Sequence, residues 1–572
     1  MMGFFHHIRV AMFLFWPIWI PMTAAAALFV ACAISWAENP MKPSASFIRI
    51  DWKGSRGAAA AMTLLGLFLA GYIAVILAWE NFTYGDNSIF TLVTLRGHDI
   101  GPPIWPQIGR FFPLGYQEFN LIRHFTDTIT GYHAFRIAQL LIFSWVLLIL
   151  DDELSINARV AILFLALITP SIHSFAGLIY HEANVLLCIV CLALFVKRFE
   201  QTHAVVWAVA AVLCAQIMLY YKEIASLFLL AFAVSRLVLR WRNTAERSWD
   251  YSRLWDRESR LDLCLIFLAV LFLLYYLGVM LPHPTMRYVD EIRQPLTDLI
   301  ITYMKVDLLA LLFVGVVLFR TYLIARRKVA PSLLWDGLAF AGTACFFGYL
   351  VLGISAAAKH YSGPIDLVAL LYLGHLTLST TKLQFWHKPI ALALLVVIML
   401  QDFWLTAFGL FAQKSVVYAK GEIAQVIQAR YQNAGVRRLF FPFARPYWIM
   451  EFAYYLDYQG IPVEGLTDAA DGVSVVSGAM TKDGPCVNYR DLICHAAAKP
   501  SAGDLVIVLP DDNQSLADLT PYLAGEPLFS YEPIIPQWAL SFIKKLPLAA
   551  SPDNTQPEFR DGWLHASVTV WK

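Results

Sequence analysis

Apolar runs of about twenty residues, separated by short polar stretches, dominate the chain as far as residue 411. A run of that length crosses ~30 Å of hydrocarbon as a helix, which satisfies its own backbone groups where no water can. The pattern predicts about twelve spans, near residues 10–37, 57–79, 134–150, 158–178, 183–196, 203–221, 224–241, 262–281, 301–319, 333–353, 364–381 and 389–411. Pro17 and Pro21 interrupt the first, so it reads as a hairpin or a tilted helix. It is too long for a cleaved signal peptide and lacks a clear cleavage site. Beyond residue 412 the runs shorten. Residues 436–443, 461–466, 505–509 and 565–571 read as strands, and 446–460 as a helix with aromatics at helical spacing. The expected fold is mainly α: an N-terminal apolar extension and loop (1–56), a polytopic transmembrane helical bundle with a large loop at 80–132 (57–411), and a C-terminal α/β domain (412–572).

Composition supports this division. The 572 residues are 59% hydrophobic and 15% charged, against roughly 25% charged in soluble domains. A net charge of +1 without a basic stripe speaks against a nucleic-acid partner. Basic residues sort by side. Lys42, Arg49, Lys53 and Arg56 fall with Lys197 and Arg198, with the arginines between 236 and 260, with Arg320, Arg326, Arg327 and Lys328, and with Lys382 and Lys388. The opposite loops are sparser. The positive-inside rule makes the first set cytoplasmic, so the 80–132 loop and the C-terminal domain face outward. An integral protein of a bacterial inner membrane fits this layout.

Six of the eight cysteines (Cys32, Cys188, Cys191, Cys214, Cys264, Cys345) lie in apolar spans and read as small fillers. Cys188 and Cys191 form a C-x-x-C spacing without histidine support. Cys486 and Cys494, alone in the outer domain, are expected to pair in an oxidising compartment.

Candidate chemistry gathers on the outer side. Asp86, in Tyr84-Gly85-Asp86-Asn87, follows the 57–79 span directly. A carboxylate at the bilayer edge is costly, so it reads either as functional or as a cap in the wet interface. The loop behind it, with His98-Asp99 and Gly109-Arg110-Phe-Phe-Pro, is composed to lie on a membrane surface or against the bundle mouth. Lys222-Glu223 joins two span ends. Lys222 suits a lipid phosphate, snorkelling, or an internal pair with Glu223. Lys359-His360-Tyr361 lies on the same side and suits phosphate, sugar oxygens or a turn. His181-Glu182 opens another span, where Glu182 suits an acceptor hydroxyl, a divalent cation or plain capping. Arg110 and Arg287 are further phosphate candidates. Asp307 and Asp402 lie within spans and read as helix-packing residues. No carboxylate cluster with metal-site spacing stands out.

With Asp86, Lys222-Glu223, His360-Tyr361 and the many spans in view, the chain resembles GT-C-type membrane glycosyltransferases. That class includes the protein mannosyltransferases and the aminoarabinose transferase acting on lipid A. The chain departs from it in placing the acidic loop after a second apolar segment and in having Asp86-Asn87 where some members have two adjacent acids. The resemblance implies transfer of a sugar from a polyprenyl-phosphate donor to a lipid, glycan or protein hydroxyl. Asp86 would be the general base, with Lys222, Lys359, His360 and Arg110 around the phosphate. Glu182, Glu223, Asp99 and His181 would be acceptor-side or auxiliary groups. A glycan ligase or polymerase using a polyprenyl diphosphate is a second enzyme reading, and a lipid-linked sugar flippase a third. Transport fits less well, because no internal repeat is visible and the ionisable residues gather at one face.

Overall fold

The computed structural model describes residues 56–78, 86–105, 109–172, 181–242, 256–280, 295–354, 359–378, 387–444, 446–466, 472–478, 480–481, 484–485, 492–510, 516–533 and 564–572. Residues 1–55, with the span expected at 10–37, lie outside them, as do Arg287 and Cys486.

Among the described residues, seven helices are long and apolar enough to cross a membrane: Gly57–Leu77, Ile129–Leu150, Ile224–Arg242, Glu258–Gly278, Leu308–Ala325, Leu333–Leu352 and Leu392–Asn433. The helices Ile156–Leu167 and Val205–Tyr221 are apolar but shorter. Glu182–Thr202 and Lys359–Leu378 pack among them. Helix starts follow local chemistry. The Thr128 hydroxyl accepts from the Gly131 amide at 3.4 Å, and the Ser155 hydroxyl from the Ala158 amide at 3.3 Å. Asp307 departs from the sequence expectation. It does not lie inside a continuous 301–319 helix but breaks it, ending Leu296–Val306 and capping Leu308–Ala325 through the Ala310 amide at 3.1 Å. Its carboxylate thereby satisfies a backbone donor that has no partner within the helix. Asp402 ends a π-helical segment, Ile398–Asp402, that runs into Phe403–Ala434.

Close packing binds the bundle. Helices Ile224–Arg242 and Leu333–Leu352 lie against each other through glycine: a Cβ at Gly337 would come 2.8 Å from Cγ of Arg236, and one at Gly348 2.6 Å from Cδ2 of Leu227. Small residues at such contacts let apolar helices approach where lipid supplies no hydrophobic drive.

Ion pairs gather at the two ends of the bundle. At one end Arg236, fully buried, meets Asp262 at 2.7 Å and Glu200 at 2.9 Å, and Arg240 joins Glu200 at 2.9 Å. Lys197 pairs with Asp152, and Arg320 with Asp336 at 2.6 Å. Many basic residues counted in the loops at this end are therefore held by acids of neighbouring helices. The opposite end carries residues 86–105 and 109–128 and the C-terminal region.

The C-terminal region is an α/β structure around a six-stranded sheet. In spatial order its strands are Cys494–Ala496, Ser474–Ser477, Arg438–Phe441, Leu505–Val508, Ala566–Val570 and Glu526–Tyr531. The first four run parallel, and the last two add antiparallel pairing. Residues 461–466, expected as a strand, contribute a single parallel bridge, Val463 to Val473. The strands 474–477, 494–496 and 526–531 went unforeseen, being short and only half apolar. Helix Phe403–Ala434 continues from the bundle to this sheet, where Lys420 pairs with Glu451 of helix Pro446–Tyr458 at 2.9 Å, both fully buried.

The packing divides in an unexpected place. One core joins the spanning helices. A second joins Leu92, Val93, Phe112, Tyr116 and Phe119 of the loop to Ile449, Phe452, Leu505 and Val568 of the sheet region.

Cys494 is disulfide-bonded, whereas Cys188, Cys191, Cys214 and Cys345 are free thiols. With Cys486 as partner, native protein is expected to resist alkylation at both positions until reduced. Modification of both thiols without reductant would contradict the pairing.

Candidate active site at the loop end of the bundle

The site is built from three helix ends and one hairpin. A two-residue antiparallel pair, Ile104–Trp105 with Arg110–Phe111, lays the loop across the bundle mouth. Glu223, in the turn between Val205–Tyr221 and Ile224–Arg242, holds the hairpin there. One of its oxygens accepts from the Phe111 amide at 2.9 Å and from Arg110 Nε at 3.0 Å. The Leu114 amide donates to the Tyr220 carbonyl at 3.0 Å, adding a backbone clamp.

Lys222 ends helix Val205–Tyr221 in extended backbone and turns its side chain inward. Its Nζ lies 2.6 Å from Glu182 Oε1 and 3.0 Å from His181 Nε2. The Tyr361 ring centroid stands 4.6 Å away and that of Phe112 5.9 Å away. Burial pushes the Lys222 ammonium below its ordinary pKa, and the Glu182 carboxylate pulls it back up. Glu182 is thus more than an N-terminal cap: it is the buried counter-ion of Lys222. The partner of Lys222 is Glu182, not its sequence neighbour Glu223.

Aromatic rings wall the group. Phe112 stacks on His181 with centroids 4.9 Å apart, and Tyr116 meets the same imidazole edge-on at 5.3 Å. The Arg110 guanidinium lies 4.7 Å from the Phe112 ring centroid. Tyr116 has φ 64°, in the left-handed region. That conformation costs a non-glycine residue roughly 1–2 kcal/mol, which the surrounding contacts must offset. Strain of this kind points to a constrained site.

No protein-family model matches the chain, and no curated protein matches it. The geometry therefore carries the reading. Of the residues singled out in the sequence, Arg110, His181, Glu182, Lys222 and Glu223 come together here. Lys359 and His360 open the helix whose third residue, Tyr361, meets Lys222. Asp86 opens helix Asp86–Leu95. One turn on, Phe90 stacks on Tyr116 at 4.2 Å, which ties that helix to the His181 wall. Asp99 stands apart, pairing with Arg123 at 2.8 Å with its side chain 68% exposed. Among the described residues, no group of three metal-ligating side chains assembles.

Sequence reading missed the aromatic walls and one buried network. Glu118 of the loop helix Gln117–Ile122 receives Arg136 at 3.1 Å and Asn184 Nδ2 at 2.7 Å, and Arg136 also donates to Gln139 at 2.6 Å. The available signal was Arg136 itself. An arginine inside an apolar run needs a partner, and the nearby loop offers Glu118.

Among the described residues, Arg110 is paired with Glu223 and Lys222 with Glu182, so these charges balance. Two cations of different shape, Arg110 and Lys222, flank a wall of rings. Such a set can grip phosphate oxygens beside an apolar or sugar surface.

Proposed function

We propose that this is a membrane glycosyltransferase that moves a sugar from a polyprenyl-phosphate donor to an acceptor hydroxyl at the extracytoplasmic face. One observation supports this most: Arg110 and Lys222, drawn from a loop hairpin and a helix end, flank aromatic walls at the bundle mouth where the Asp86 helix also packs. The lipid tail would stay among the spanning helices while its phosphate reached the cations. Asp86 would take the proton from the attacking hydroxyl. Lys222 and Arg110, with Lys359 and His360 nearby, would offset charge on the departing phosphate. His181, Glu182 and Glu223 hold these groups in place.

The proposal includes the twelve-span layout in an inner membrane of bacterial type, with the C-terminal region outside. A reporter that is active only beyond the cytoplasm, fused after Lys572, is expected to work. Activity of a cytoplasm-dependent reporter alone at that position would invert the layout and remove the site from its face.

The experiment for the function itself is lipid analysis by mass spectrometry. Cells lacking the protein are expected to accumulate one polyprenyl-phosphate sugar. Accumulation of a polyprenyl diphosphate glycan would favour the ligase or polymerase reading. Unchanged lipid-linked sugars would speak against both.

A further inference from the structure

We infer that the C-terminal sheet region positions the helix that begins with Asp86, and that Arg96 is the positioning residue between them; this rests on the transfer reading above. Helix Asp86–Leu95 takes much of its packing from outside the bundle. Leu92 and Val93 belong to the core that contains Ile449, Phe452 and Ala453 of helix Pro446–Tyr458, and the two helices lie against each other.

One residue past the end of the helix, Arg96 turns to the same region. Its Nε meets Asp457 Oδ2 at 2.8 Å, its Nη2 donates to the Leu466 carbonyl, and its guanidinium lies 5.4 Å from the Tyr454 ring centroid. A planar fork can hold all three at once, which an ammonium cannot. Asp457 is mostly buried. Burial raises its pKa, and the Arg96 charge works against that rise.

The helix is thus held from the bundle side and from the sheet side, and on the bundle side Thr94 Oγ1 also lies 2.7 Å from the Tyr132 hydroxyl of helix Ile129–Leu150. Phe90 rests on Tyr116, and Tyr116 on His181. Arg96 fastens the far end to the sheet region. Ten residues are too few for a stable isolated helix in water, so the conformation of this one depends on what it packs against. Asp86 sits one turn before Phe90, so a loosened helix would misplace a carboxylate whose work depends on fractions of an ångström. The sheet region would then be a support for the catalytic loop, not a separate module tethered to the bundle.

The test uses the full chain in lipid nanodiscs and reads amide hydrogen exchange. Arg96→Ala is expected to speed exchange across residues 86–95 by about tenfold or more, while the spanning helices keep their protection. Arg96→Lys should retain part of the protection, because it keeps the charge toward Asp457 but loses the forked reach. If Arg96→Ala does not fold, Arg96→Lys and Asp457→Asn carry the comparison. In a transfer assay kcat should fall while the KM for donor holds, the pattern of misplaced chemistry and not of lost binding. Unchanged exchange at 86–95 in a folded Arg96→Ala protein would overturn the inference, as would faster exchange with parental kcat. A parent protein with no transfer activity would instead sink the transfer reading, and the exchange result would still decide whether the sheet region holds the helix.

Discussion

Asp86→Asn is expected to give a protein that inserts, folds and binds donor but transfers sugar roughly 10²–10⁴ times more slowly, the usual loss when a general base is removed. Asparagine keeps the size of the side chain and much of its hydrogen bonding, yet it cannot accept the proton. Asp86 heads helix Asp86–Leu95, which packs through Phe90 on the ring wall around His181. The other candidate carboxylates have charged partners of their own. Glu182 and Glu223 are engaged by Lys222 and Arg110, and Asp99 is exposed beside Arg123. Turnover close to that of the parent in a folded variant would move the base elsewhere. A variant that does not fold would make Asp86 a structural residue.

Glu182→Ala should produce the second large effect, in stability. Removing one member of a buried ion pair strands the other, a loss of about 3–5 kcal/mol. Lys222 would keep His181 at 3.0 Å but lose its carboxylate. Thermal unfolding in detergent should show a clear drop in midpoint, and a Glu182→Leu/Lys222→Met double variant should recover much of it, because neither buried charge then remains. A double variant as unstable as Glu182→Ala would mean that the pair is not the source. Donor binding separates a second role for the lysine. Lys222→Ala should weaken it, and Lys222→Arg should keep a part because the charge survives. If alanine left donor affinity at the parental level, Lys222 would serve only its internal pair.

What the sequence made legible was whatever local pattern encodes. Apolar periodicity placed the long helices, and the shift after residue 412 announced the α/β region. Where the reading failed, a single side chain or a distant partner decided the outcome. Asp307 reads as a helix-packing residue within a span, but it divides that span, and its carboxylate caps Leu308–Ala325 through the Ala310 amide. The strand Glu526–Tyr531 forms at the sheet edge and gains its pairing from residues some forty positions away. The site was half visible. His181-Glu182 and Lys222-Glu223 stood out as charged pairs at span ends, but nothing local says that Lys222 crosses to Glu182 while Glu223 takes Arg110. Nor could spacing show that the loop shares its core with the sheet region, since that joins Leu92 to Ile449, residues far apart in the chain.

The most direct measurement reconstitutes the purified protein in nanodiscs with a polyprenyl-phosphate sugar and an extract of candidate acceptors, and follows free polyprenyl phosphate over time. The account predicts acceptor-dependent release by the parent protein and almost none by Asp86→Asn, with donor bound equally by both. Intact donor in the parent reaction, using the sugar that accumulates in the deletion strain, would contradict it.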